Sequence, residues 1–110
     1  MNTLRNKVQL IGNLGNDPEI VNLESGKTLA KFSVATNESY KNVQGEKVTD
    51  TQWHNIVAWG KTAQIIEKYV GKGKEVAIEG KLTTRSWEDK DGVKRYSTEV
   101  VCSELLMLGK

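Results

Sequence analysis

Apolar and polar residues alternate with a period of two along most of this chain, the spacing of strands that bury one face. The stretch Thr51 to Thr62 (TQWHNIVAWGKT) organises the rest. Trp53, Asn55, Val57 and Trp59 fall on one side of it, and His54, Ile56 and Ala58 on the other. A single tryptophan in a small domain is usually core, because aromatics dominate buried area. Two of them on one strand face with an asparagine between make a poor core surface and a good platform for flat ligands.

Before that strand, Lys7 to Leu14 (KVQLIGNL) reads as a first strand, with Val8 and Leu10 inward and Gly12 allowing a bend or a close backbone approach. Asn16-Asp17-Pro18 supplies a turn, and Glu19 to Leu23 is a short extended piece. Leu29 to Asn37 alternates as a half-buried strand, with Ala30, Phe32 and Val34 on the apolar side. Residues 38–50 are polar and lack periodicity, so they are expected to form a long mobile loop with Tyr40 as its only aromatic.

After Gly60-Lys61 the pattern becomes helical. Thr62 is the expected cap, Ala63, Ile66, Tyr69 and Val70 the expected buried stripe, and Gly71 the expected left-handed stop. Lys74 to Trp87 then alternates as a long strand, with Val76, Ile78, Gly80 and Leu82 inward and Arg85 and Trp87 outward. Glu88 to Gly92 carries an Asp-Gly turn signal, and Val93 to Leu108 returns as the last strand.

Composition narrows the function classes. A chain of 110 residues fits one domain over 1–110. The net charge of +2 is too small to announce a polyanion partner, so the distribution of charge must carry that argument. One histidine and one cysteine give neither a zinc set nor a disulfide framework, and Cys102 is expected to be an inert buried thiol. No nucleophile sits in a pattern with a base, so no catalytic site, cofactor or metal is expected. Gly60-Lys61-Thr62 resembles the end of a phosphate-binding P-loop, but Asn55 stands where that motif needs glycine. Without an apolar leader or a membrane-length apolar run, the expected location is cytoplasmic.

Five strands, a single helix between the third and fourth, and long loops after the second and fourth give an all-β fold with one short helix. That is the order of the five-stranded, partly open Greek-key barrel called the OB-fold. Several segments then point further in this order and spacing: Asn6-Lys7-Val8 through Gly12 to Gly15, Asp17-Pro18-Glu19, Ala35-Thr36 with Glu38-Ser39, Trp53-His54, Gly60-Lys61, Ile78 to Gly80, and Tyr96 to Val100. Together they resemble the bacterial single-stranded DNA-binding proteins over nearly the whole chain.

The resemblance implies sequence-independent binding and protection of single-stranded DNA in replication, recombination and repair. It implies base stacking on Tyr40, Trp53, Trp59 and Trp87, and phosphate contacts by Lys61, Lys72, Arg85 and Arg95. Tyr40 stands where tryptophan is common and Trp59 where phenylalanine is common, and both keep a π-face. Asn55 stands where a basic residue is often seen. A homotetramer is implied as well, with His54 facing the core or a subunit contact. Cellular members continue into a linker with an acidic tip that recruits replication and repair enzymes. Here the sequence stops at Gly109-Lys110, a basic end without linker or tail, so this stretch is expected to lack those partners. The rival readings are a primosomal accessory protein, which should have lost several stackers, and an RNA-binding OB domain.

Overall fold

Strand β1 (Val8–Leu14) shows how the barrel closes. It runs antiparallel to strand β5 (Glu75–Glu88) from Val8 to Asn13, and its end, Asn13 and Leu14, pairs with strand β3 (Thr28–Lys41). One strand serves two neighbours because it bends at Gly12, where any Cβ would collide with the Ala35 carbonyl. Strand β4 (Lys47–Trp59) pairs with β3, and strand β6 (Lys94–Met107) with β5 and, in parallel, with β4. Strands β1, β3, β4, β5 and β6 make the expected five-strand barrel with one helix, closed by the β1–β3 pairing. The short strand β2 (Glu19–Asn22), anticipated only as an extended piece, adds a sixth member on the β3 edge. The computed structural model describes residues 5–108; the basic end at Gly109-Lys110 lies outside them.

Inward-facing Val34, Ile56, Val76 and Val100 fill the barrel, and helix α1 (Gly60–Tyr69) lays Ala63 and Ile66 on it. Four local expectations are corrected. The helix starts at Gly60 with Trp59 as its N-cap and no side-chain cap bond, so Thr62 lies inside it. Tyr69 is exposed rather than part of the stripe. The left-handed glycine after the helix is Gly73, not Gly71, since the extended Val70 ends the helix and delays the turn. Leu82 is exposed although its partner Val100 is buried, because the described β1 pairing of β5 does not extend past Gly80.

The larger correction concerns residues 38–50, which are not a loop. Strands β3 and β4 pair without interruption from Leu29↔Trp59 to Lys41↔Lys47, leaving only residues 42–46 as the turn. Asn42 closes it, its Oδ1 accepting from the amides of Gln44 and Glu46. The outer half of this ribbon projects into solvent, so neither face needs apolar residues. A second arm, the β5–β6 hairpin, projects likewise, closed by Asp89 accepting from the amides of Asp91 and Val93.

Candidate nucleic-acid interface

Trp53 stands on the outer face of β4, opposite Ala35. Its six-membered ring lies against the bare backbone of Gly15, where a Cβ would strike the ring. That floor is tied down. The Gly15 amide donates to the Ser33 carbonyl at 3.0 Å, and Asn16 Oδ1 accepts from the Ser33 amide at 3.1 Å and hydroxyl at 2.9 Å. Asp17 Oδ1 accepts from the Lys72 amide at 2.8 Å. The loop after β1 is thereby anchored both to β3 and to the turn beyond the helix.

Alternation puts Asn55, Val57 and Trp59 on the same outer face as Trp53. Val57 pairs with Val101, so that face continues onto β6 and β5, where Glu99, Arg95, Arg85 and Trp87 follow. Trp53 is 61%, Trp59 44% and Trp87 47% exposed, high values for side chains of this size. A groove of about 360 Å³ on this part of the sheet has Lys31, Ser33, Asn55 and Glu99 in its walls. The three tryptophans anticipated from sequence thus share one sheet face. Tyr40, also exposed, lies on a strand of unbroken register and has the opposite parity, so it projects from the other face of the β3–β4 ribbon.

The anticipated cations divide into two kinds. Lys61 and Lys72 are exposed and their ammonium groups form no ion pair among the described residues. Arg85 and Arg95 already have anionic partners. Arg85 sits 6.0 Å from the Trp87 ring centroid and 3.6 Å from Glu99. Arg95 Nε donates to Asp89 Oδ2 at 2.9 Å, and this bond, followed by the Val93 amide, holds the Asp89 carboxyl below the usual carboxylate range. Two features escaped the sequence reading. Gly15 is the floor for Trp53, a role that only the fold reveals. Tyr96 is exposed with Lys94 Nζ 5.7 Å from its ring, a second aromatic–cation pair on the reverse face of the β5–β6 arm.

Other candidates are occupied by structure. His54 Nε2 lies 3.0 Å from Thr36 Oγ1, a satisfied partly buried contact. Cys102 is a free buried thiol that donates to the Glu104 carbonyl, and burial pushes its pKa up to about 11. Among the described residues no group of His, Cys, Asp and Glu is placed to hold a metal ion.

Exposed aromatic rings backed by cations along one sheet face match a known pattern. Residues 5–108 fit the model of the single-strand binding protein family. The chain belongs to that family. It is 52% identical over 105 residues to single-stranded DNA-binding protein 1 of Chlorobaculum tepidum, covering 94% of this chain and 65% of that protein. It is 44% identical to the protein of the same name from Xylella fastidiosa, over 96% of this chain and 78% of the relative. Among solved structures it resembles the Plasmodium falciparum SSB in complex with ssDNA, with a TM-score of 0.86, 36% identity and 99% and 100% of the two chains covered. A deletion mutant of the Thermus aquaticus single-stranded DNA-binding protein matches with a TM-score of 0.81 and 25% identity, over 94% of this chain and 50% of that one. The chain therefore spans about two thirds of the first relative and half of the last.

Proposed function

We propose that this chain binds single-stranded DNA without regard to base sequence and protects it during replication, recombination and repair. The observation that carries the reading is the placement of Trp53, Trp59 and Trp87 on one continuous exposed face, with Lys31 and Arg85 along it and Lys61 next to Trp59. Stacking of a base on an aromatic contributes about 1 to 3 kcal/mol and tolerates any base, because each has a π-face. Tyr40 stacks a base on the other face of its arm, which requires the strand to pass around the β3–β4 ribbon. Lys61 and Lys72 meet phosphates directly, whereas Arg85 and Arg95 must first exchange a carboxylate for a phosphate.

The role is that of a binding module, not a catalyst, acting in the cytoplasm at the nucleoid; no described helix is long and apolar enough to cross a membrane. Titration with a thymidine homopolymer, following tryptophan fluorescence, tests the reading. Strong quenching with affinity that falls as salt rises is expected, and preference for duplex over single strands at moderate salt would overturn it. An excess of RNA oligomer should compete poorly; equal competition would favour an RNA-binding role.

A homotetramer built by pairing of dimers is part of the same proposal. Among the described residues, Val8 to Ile11 have β5 on one side and no strand on the other, an edge suited to pairing with a second copy. Ile11, Ala77 and Leu106 also form an apolar row across β1, β5 and β6, in which Ile11 and Leu106 are exposed.

A further inference from the structure

We propose that Lys41 and Lys47 form a phosphate clamp near the end of the β3–β4 arm, extending the DNA track beyond Trp53. The proposal rests on the single-strand binding reading above. The two residues are direct cross-strand partners in the last pair of the ribbon, so their side chains leave the same face with Cβ atoms about 5 Å apart. Like charges directly opposite one another destabilise a ribbon. Nothing in the protein offsets that: both lysines are exposed, and among the described residues neither makes an ion pair or a hydrogen bond to a carboxylate. Glu46, the nearest acid in sequence, accepts from Asn42 Nδ2 instead.

The rest of the arm supplies direction. Strand alternation puts Lys41 and Lys47 on the face that carries Trp53. Between them on that face lie the Ser39–Thr49 hydroxyl pair, 3.3 Å apart, and Thr51, which donates to Asn37 at 2.6 Å. The opposite face has the reverse charge, since Glu38 is the direct partner of Asp50. One face of the ribbon is therefore basic at its tip and neutral and hydroxylated along its length, while the other is acidic. A polyanion already stacked on Trp53 is steered along the first, and reaches Tyr40 on the second only by turning around the ribbon. From Trp53 to Lys47 is six residues, about 20 Å at the rise of a strand, room for a few further nucleotides. The chemistry required of the occupant is a phosphodiester, which two converging ammonium groups can share.

The substitution Lys41→Glu separates binding from folding, because it places opposite charges across the same pair. The melting temperature should stay level or rise. In the same variant the slope of log affinity against log salt for thymidine oligomers should flatten by about 0.7 per chain, the value for one single-strand phosphate. The double substitution Lys41→Arg with Lys47→Arg should keep the slope. Short oligomers that cover only the tryptophans should bind wild type and Lys41→Glu alike. An unchanged slope on long oligomers overturns the clamp, as does an equal loss on short and long ones. Failure of the wild-type chain to bind any single strand would instead overturn the underlying function, so the two failures are distinguishable.

Discussion

At the residue scale, the interface depends as much on an absent side chain as on the aromatic ones. Trp53 lies on Gly15, and because Asn16 and Ser33 fix the loop, a methyl group there must push the exposed indole outward. Gly15→Ala should displace the ring at little cost in stability, and weaken binding by up to the contribution of one stacked base, about 1 to 3 kcal/mol. Trp53→Ala should leave stability nearly intact, since most of the ring is exposed, while weakening binding by about 1 to 3 kcal/mol, roughly 5- to 150-fold. Melting curves and fluorescence titration of both variants check this pair of outcomes. Alternation, a local property, puts Trp53 and Trp59 on one strand face from sequence alone, whereas Trp87, on another strand, was grouped with them only by the resemblance. Gly15 was illegible because its contact with Trp53 spans 38 positions of sequence and arises only on closure of the barrel.

At the scale of elements, the two arms explain what could be read from the sequence and what could not. Hydrophobic alternation reports burial, and it found β1, β4 and β5 wherever they line the barrel. It failed from Glu38 to Asp50 because both faces of that ribbon are wet and a polar strand looks like a loop. The β5–β6 arm was legible through its Asp-Gly turn, whose anchor, Asp89, also controls Arg95. Asp89→Asn keeps the oxygen that accepts from Asp91 and Val93 but removes the charge that holds Arg95. The arm should stay folded and Arg95 should become free for phosphate. Affinity at low salt should rise, with the salt slope steeper by about 0.7. In the wild type the Asp89 carboxyl is depressed in the folded arm, so its stabilising contribution is complete above the ordinary aspartate range. It fades as pH falls through the lowered folded value. Side-chain NMR titration of Asp89 should show protonation below the model-compound value, and a smaller depression in Arg95→Ala, where the amide bonds of Val93 and Asp91 remain.

At the scale of the whole molecule, the radius of gyration of 16.2 Å exceeds the roughly 13 Å of a compact chain of this length, because the two arms extend from the barrel. Arms of this kind bury little of their own surface, which favours assembly with another strand of DNA or another protomer. The barrel wall of β1, β5 and β6 carries the apolar row Ile11, Ala77 and Leu106, away from β4 with Trp53 and Trp59 and at the opposite end of β5 from Trp87. Single exposed apolar residues are ordinary on a surface, whereas a row beside an unpaired strand edge marks a contact face. Placing a carboxylate in the row should oppose assembly without touching the stacking face, because a charge buried in an interface without a partner is costly. Ile11→Glu should therefore reduce the mass seen by light scattering at micromolar concentration. The short-oligomer affinity per chain should be nearly unchanged, while long thymidine polymers, which several protomers share, should bind more weakly through loss of avidity. A wild-type chain that scatters as a monomer at that concentration would overturn the assembly. A variant that keeps the wild-type mass would show that Ile11 lies outside the contact.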